Sequence, residues 1–284
     1  ISSNNTTSTL AKEGDIITIN MNSSKIITSP VVTFEIGSDT ITPAISGSET
    51  NYSATYIVTN NKNGEIKNLS ISNFSDITGN IGQTVTNFTD DSKVTVDTLA
   101  PTLNSVIIES NNNTTNLAKV DDIITLTINS NEPITTPTIT FDIGDDSIVP
   151  NVTGSGTTYY AKHTVTTGQT GLTKNYSISN FYDLAGNIGS EITSLTNDTS
   201  VTVDTTLPTL NSVTIYSNNE ITNLAKEGDT ITLVINANEI ITTPTVSFKI
   251  GSDIITPTIN GSGTSYAATY IVTNNKNGIV KDFS

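Results

Sequence analysis

The chain has 284 residues, more than one ordinary domain, so a single compact core is not expected. Its 12 Lys and Arg against 27 Asp and Glu leave a formal charge of −15, which opposes nucleic acid and anionic lipid and favours cations as partners. With no Cys and one His, disulfides, thiolate zinc sites and thiol catalysis are excluded, whereas a metal held by oxygens stays open.

Alternation of apolar and polar residues marks the strands. Ile17, Ile19 and Met21 point to one face while Ile16, Thr18 and Asn20 point to the other. Beyond Pro30, Val32, Phe34 and Ile36 follow at spacing two, the pattern of a half-buried antiparallel strand. Tyr52, Ala54, Tyr56 and Val58 predict the next strand, and Leu69 with Ile71, Val94 with Val96, and Val106 with Ile108 predict three more. Gly37-Ser38-Asp39, Gly154-Ser155-Gly156 and Gly186-Asn187 supply turns, because Gly and Asn accept positive φ at little cost. No window holds a 3.6-residue apolar period, so helix is expected to be minor.

The same elements recur at a fixed step. Leu10-Ala11-Lys12 returns as Leu117-Ala118-Lys119 and Leu224-Ala225-Lys226, and Pro30 returns as Pro137 and Pro244, each time 107 residues on. The chain holds two full periods and 70 residues of a third. A unit of this length exceeds the 20–50 residues of a solenoid repeat and suits a β-sandwich able to fold alone. The expected units are 1–98, truncated at its start, the complete 99–205, and 206–284, truncated at its end. The chain opens at Ile1, shows no signal-peptide pattern and has no apolar run near the roughly 18 residues that cross a bilayer, so it is expected to be a segment of a longer, exported polypeptide with no membrane insertion of its own.

Three motifs carry a resemblance. Asp97-Thr98-Leu99-Ala100-Pro101 and Asp204-Thr205-Thr206-Leu207-Pro208 stand at the repeat boundaries, Asp183-Leu184-Ala185-Gly186-Asn187 forms a loop, and Glu132 and Glu239 close the second strand. In this order and spacing the chain resembles the tandem bacterial Ig-like domains of large cell-surface proteins, including adhesin extender regions. The first repeat departs from the pattern with Lys25 in the Glu position and Thr78 in Asp76-Ile77-Thr78-Gly79-Asn80. The resemblance implies an all-β fold of tandem immunoglobulin-like sandwiches, about seven or eight strands each, in a non-enzymatic stalk or fibre at the cell surface.

In a sandwich of that topology Asp97, Glu132, Asp183 and Asn187 converge where the preceding domain joins. Carboxylates ~4–5 Å apart repel by about 1 kcal/mol in water and several times that at an effective dielectric of ~20. Extracellular Ca²⁺, which takes six to eight oxygens, reverses the sign. The candidate ligands are therefore Asp97, Glu132, Asp183 and Asn187, with a second set begun by Asp204 and Glu239 and counterparts Asp76 and Asn80 in the first repeat. Lys25 places an ammonium where the other repeats have a carboxylate. About four linker residues containing Pro101 or Pro208, whose φ is fixed, are expected to stiffen each joint.

Other readings are weaker. His163 falls in the strand slot of Tyr56 and Tyr270, which suits a structural residue better than a catalytic one, and acids recurring in every unit argue against an active site. Carbohydrate binding lacks Trp platforms, with Tyr182 and Tyr216 as the exposed candidates. Self-assembly with other copies through strand edges is the remaining alternative, and a Lys-Asn isopeptide involving Lys12, Lys119 or Lys226 is a minor one.

Overall fold

The computed structural model describes all 284 residues as strands, turns and loops, with no helix long and apolar enough to cross a membrane. The chain forms two compact units, Ile1–Thr205 and Thr206–Ser284.

The first unit holds two sandwiches. Strands of the first are β1 (Ser2–Ser3), β2 (Leu10–Ala11), β3 (Ile16–Asn22), β4 (Val31–Ile36), β5 (Asp39–Ile41), β6 (Ala44–Ser48), β7 (Asn51–Ile57), β8 (Gly64–Ser72) and β9 (Thr95–Val96). Those of the second are β10 (Leu103–Ser110), β11 (Leu117–Ala118), β12 (Ile123–Ser130), β13 (Thr138–Ile143), β14 (Asp146–Ile148), β15 (Asn151–Ser155), β16 (Thr158–Thr164), β17 (Gly171–Ser179) and β18 (Thr202–Val203). In the second sandwich one sheet runs β10-β12-β16-β15 and the other β11-β18-β17-β13-β14. The first repeats this as β1-β3-β7-β6 against β2-β9-β8-β4-β5. This is the immunoglobulin-like arrangement of two antiparallel sheets with crossed-over connections. One pairing departs from the antiparallel rule: β11 runs parallel to β18, as β2 does to β9.

The complete repeat has nine strands where seven or eight are expected: β18 answers to the strand read from Val94 and Val96 one repeat earlier, whereas β11, β14 and β15 hold no two apolar residues at spacing two and leave no alternation to read. The longest strands have nine residues. Six residues, 97–102, separate Val96 from Leu103, against the four expected.

Burial follows the period-two pattern. Val106, Ile108, Leu126, Ile128, Phe141, Ile143, Ala161 and Val203 form the core between the sheets of the second sandwich, and Ile17, Ile19, Val32, Phe34, Ile36, Ala54 and Val96 that of the first. Each Val, Ile, Leu and Phe among them contributes roughly 1.5–3 kcal/mol on leaving water. Gly189 is required by close approach: a Cβ there would lie 1.9 Å from Cε2 of Phe181, so only glycine lets that ring press on the backbone.

His163 packs edge-on against Phe141 with ring centroids 6.5 Å apart, as Tyr56 does against Phe34 and Tyr270 against Phe248. Its Nε2 pairs with Gln169 Oε1 at 2.9 Å. The sibling repeats carry Lys62 and Lys276 in the Gln169 slot, each 2.7 Å from an Asp. The two differences thus belong together, and His163 is structural. His163→Tyr is expected to leave the melting temperature within about 4 °C of wild type, since it restores the sibling contact and costs under ~0.5–1 kcal/mol.

The second unit is a third sandwich: β19 (Leu210–Ser217), β20 (Thr230–Ala237), β21 (Phe248–Ile250), β22 (Asp253–Ile255), β23 (Thr258–Ser262), β24 (Ser265–Ile271) and β25 (Val280–Lys281). Its sheets run β19-β20-β24-β23 and β22-β21-β25. Its core is two smaller clusters, one around Phe248 and one around Leu233 and Ile235.

Candidate metal centre

The loop after β12 carries Glu132, and three contacts hold it. The Ser130 hydroxyl donates to the Glu132 carbonyl. The Ile134 amide donates to Gly156 O at 3.0 Å. Tyr159 Oη, from β16, donates to Ile134 O at 2.6 Å. The same tyrosine pins the same loop in the other repeats, Tyr52 to Ile27 and Tyr266 to Ile241.

Asp183 follows β17 and is buried, 3% exposed. Its Oδ1 accepts the amides of Gly186 and Asn187 at 2.7 and 2.9 Å, and its Oδ2 accepts Asn187 Nδ2 at 2.7 Å. Gly186, at φ +91, closes the turn in the left-handed region that glycine adopts without strain. A bridge between Ile134 and Asp183 and the bond from Thr135 N to Tyr182 O at 2.7 Å join this loop to the one bearing Glu132.

Asp97 arrives from the end of the first sandwich. Its amide donates to Ala11 O at 2.8 Å, its Oδ1 accepts the Leu99 amide at 3.0 Å, and its carbonyl accepts Asn187 Nδ2 at 2.9 Å. One carboxylate oxygen from each of Asp97, Glu132 and Asp183 lies within 4.8 Å of the others. Burial first, then the Asp97 and Asp183 charges, pushes the Glu132 carboxyl above its ordinary value, while Asn131 donates to it and partly offsets the rise. Asn187 directs its amide nitrogen at two oxygens and so braces the loop beside the cluster.

The equivalent place in the first repeat is occupied differently. Lys25 Nζ lies 3.7 Å from Asp76 Oδ2, so an ammonium stands where Glu132 stands in the next repeat. Asp76 also accepts from Asn80 Nδ2 at 2.9 Å and Thr78 Oγ1 at 2.7 Å, and these bonds, Asn80's first, hold its carboxyl well below the usual range. Asp204 follows β18 as Asp97 follows β9, its amide donating to Ala118 O at 2.9 Å. In the second unit Glu239 sits in the loop after β20, and its Oε1 is buried with no hydrogen-bond partner.

Contacts absent from the sequence-based expectation also cross the joint between the first two sandwiches. Asn5 Nδ2 donates to Ala185 O at 2.8 Å, and Lys12 Nζ to Gly186 O at 3.1 Å. Asp15 Oδ2 holds Asn5 from behind at 2.7 Å. Asn5 and Lys12 recur as Asn112 with Lys119 and as Asn219 with Lys226, but the recurring Asn makes the same bond to an Asp within each repeat, so the repetition does not mark a contact across the joint.

No protein-family model matches the chain, and no curated protein matches it. Among solved structures it is similar to the I9–I11 tandem of titin, with TM-score 0.32 and 12% identity over 94% of this chain and 87% of that one. It is also similar to the mouse nectin-like molecule 4 ectodomain, Ig1–Ig3, with TM-score 0.32 and 12% identity over 93% of this chain and 87% of that one.

Proposed function

We propose that this chain is a non-enzymatic spacer, a stretch of extracellular stalk from a cell-surface adhesin or related fibre, in which Ca²⁺ ties the first sandwich to the second. The observation that carries the reading is the meeting of Asp97, from one sandwich, with Glu132 and Asp183, from the next, inside 4.8 Å. Three carboxylates so placed push the joint apart in the absence of a counter-charge, and a divalent ion turns that repulsion into a bond between domains. The donor set is all oxygen and hard, as Ca²⁺ requires, and water completes the shell. Lys25 beside Asp76 supports the same electrostatic logic, since a fixed cation there supplies the positive charge directly.

The test is a pair of melts on the full chain. At 1 mM Ca²⁺ and a Kd of ~0.1 mM, within the range of extracellular modules, mass action adds about 1.4 kcal/mol. The transition of the liganded sandwiches is then expected several degrees higher than in EDTA. Superimposable melts would remove calcium from the proposal.

A further inference from the structure

The loop from Asp183 to Asn187 is held from both sides of the joint, and two of its peptide units carry the link. The unit between Ala185 and Gly186 accepts Asn5 Nδ2 on its carbonyl at 2.8 Å, and its amide donates to Asp183 Oδ1 at 2.7 Å. The unit between Gly186 and Asn187 accepts Lys12 Nζ on its carbonyl at 3.1 Å, and its amide donates to the same Oδ1 at 2.9 Å. Each peptide plane thus joins a donor of the first sandwich to the Asp183 carboxylate of the second. A carbonyl that accepts a hydrogen bond polarises its own amide, so the N–H on the far side of the plane donates more strongly.

The two donors are themselves fixed. Asp15 Oδ2 accepts Asn5 Nδ2 at 2.7 Å and the Lys12 backbone amide at 2.8 Å, so one oxygen sets both residues. The two hydrogens of the Asn5 amide nitrogen serve Asp15 and Ala185. The Lys12 stem runs along Gly186, where a Cβ would meet Lys12 Cε at 3.7 Å and Cδ at 3.8 Å. Lys12 is half-buried there, whereas Lys119 turns back on Asp122 Oδ1 of its own repeat at 3.6 Å and is exposed.

We infer that Asn5 and Lys12 are positioning residues of the centre formed by Asp97, Glu132 and Asp183, given the calcium-bound joint proposed above, which this presupposes. The first sandwich aims Asp183 through two peptide planes, so the centre takes its shape from closure of the joint. For Lys12 the sign of the effect separates positioning from charge. As a charge alone, its ammonium repels an incoming Ca²⁺, and removing it would tighten binding; as a donor that orients Asp183, removing it weakens binding.

The experiment titrates the full chain with CaCl₂ in a calorimeter and records amide spectra of the same proteins in EDTA. Asn5→Ala is expected to weaken Ca²⁺ binding about tenfold, within the range for groups that orient a metal ligand. Lys12→Met is expected to weaken it roughly threefold, the smaller loss reflecting the repulsion that leaves with the ammonium. In EDTA the Gly186 amide proton is expected to move upfield in the Asn5 variant, and the Asn187 amide proton in the Lys12 variant. Lys12→Met leaves the turn intact, because Lys12 meets Asp15 through its backbone amide, and it carries the test if Asn5→Ala folds poorly. Wild-type or tighter Ca²⁺ affinity in Lys12→Met, or amide protons that stay in place in both variants, would overturn the positioning role and leave calcium at the joint standing. A wild-type chain that takes up no Ca²⁺ would overturn both.

Discussion

Glu132→Gln is expected to abolish the calcium dependence of the melt and, in EDTA at neutral pH, to raise the melting temperature above that of wild type. The variant keeps the shape of the side chain and removes one of three charges that lie within 4.8 Å of one another. At an effective dielectric of ~20 the relief is about 1 kcal/mol or more after screening, or roughly 4–8 °C for a domain of ~100 residues. Ordinary surface substitutions shift stability by under ~0.5 kcal/mol, so a gain of this size from removing a carboxylate is diagnostic. The pH dependence has a defined sign. Burial and the neighbouring carboxylates raise the Glu132 carboxyl in the folded chain, so the folded state binds this proton more tightly than the unfolded one. In EDTA, stability therefore falls as pH rises from the ordinary glutamate value near 4.5 through the raised one, and is regained on acidification. Bound Ca²⁺ favours the charged form and inverts the slope. Scanning calorimetry of both proteins, with EDTA and with Ca²⁺, from pH 4.5 to 7.5 reads both effects, and an identical response in wild type and variant would exclude Glu132 as a ligand.

Phe141→Ala is expected to cost about 3–5 kcal/mol, much of the ~5–15 kcal/mol that holds a domain of this size. Phe141 is fully buried in β13, with Tyr176 at 6.3 Å and His163 at 6.5 Å between ring centroids. The cavity left by its ring cannot refill, because the surrounding Ile and Leu side chains are fixed by two hydrogen-bonded sheets. The transition of the second sandwich should fall by roughly 15 °C or more. Val149→Ala, at a side chain of the same sandwich that is 78% exposed, serves as the control and should move it by under ~0.5 kcal/mol. A loss below ~1 kcal/mol for Phe141→Ala would mean that the core is not packed as described.

The strands that were legible are those with one buried face. Ile124, Leu126 and Ile128 alternate with Thr125 and Thr127, and the sheet buries the first three completely. Short pairings such as β11 with β18 escaped, because the two residues of β11 carry no period and their partner is a strand far along the chain. The bulge opposite Phe141 also escaped: its cause is Asn175 at φ 52, an asparagine in a strand whose sequence alternates normally around it. At the acidic site, it was the sandwich topology implied by the resemblance that placed Asp97, Glu132 and Asp183 at one end, and their carboxylates lie within 4.8 Å of one another. What sequence did not give was the part of each neighbour. Asn187 turns its nitrogen rather than its oxygen inward, and Asn5 and Lys12 reach across the joint to carbonyls that carry no side-chain signature.

The parallel pairing of β11 with β18 bears on how the second sandwich answers a pull at its two ends. β11 lies near the start of the domain and β18 is its last strand, so traction draws them in opposite directions along their length. The bonds from Thr202 N to Asn116 O and from Asp204 N to Ala118 O, both 2.9 Å, are then loaded in shear and at once. A hairpin pulled at its open end instead gives way one bond at a time. The first sandwich has the same clamp, in the bonds from Thr95 N to Thr9 O at 2.9 Å and from Asp97 N to Ala11 O at 2.8 Å. Two residues at each end of the domain thus form a clamp loaded in shear, and one of each pair, Ala118 and Val203, is at the same time part of the core.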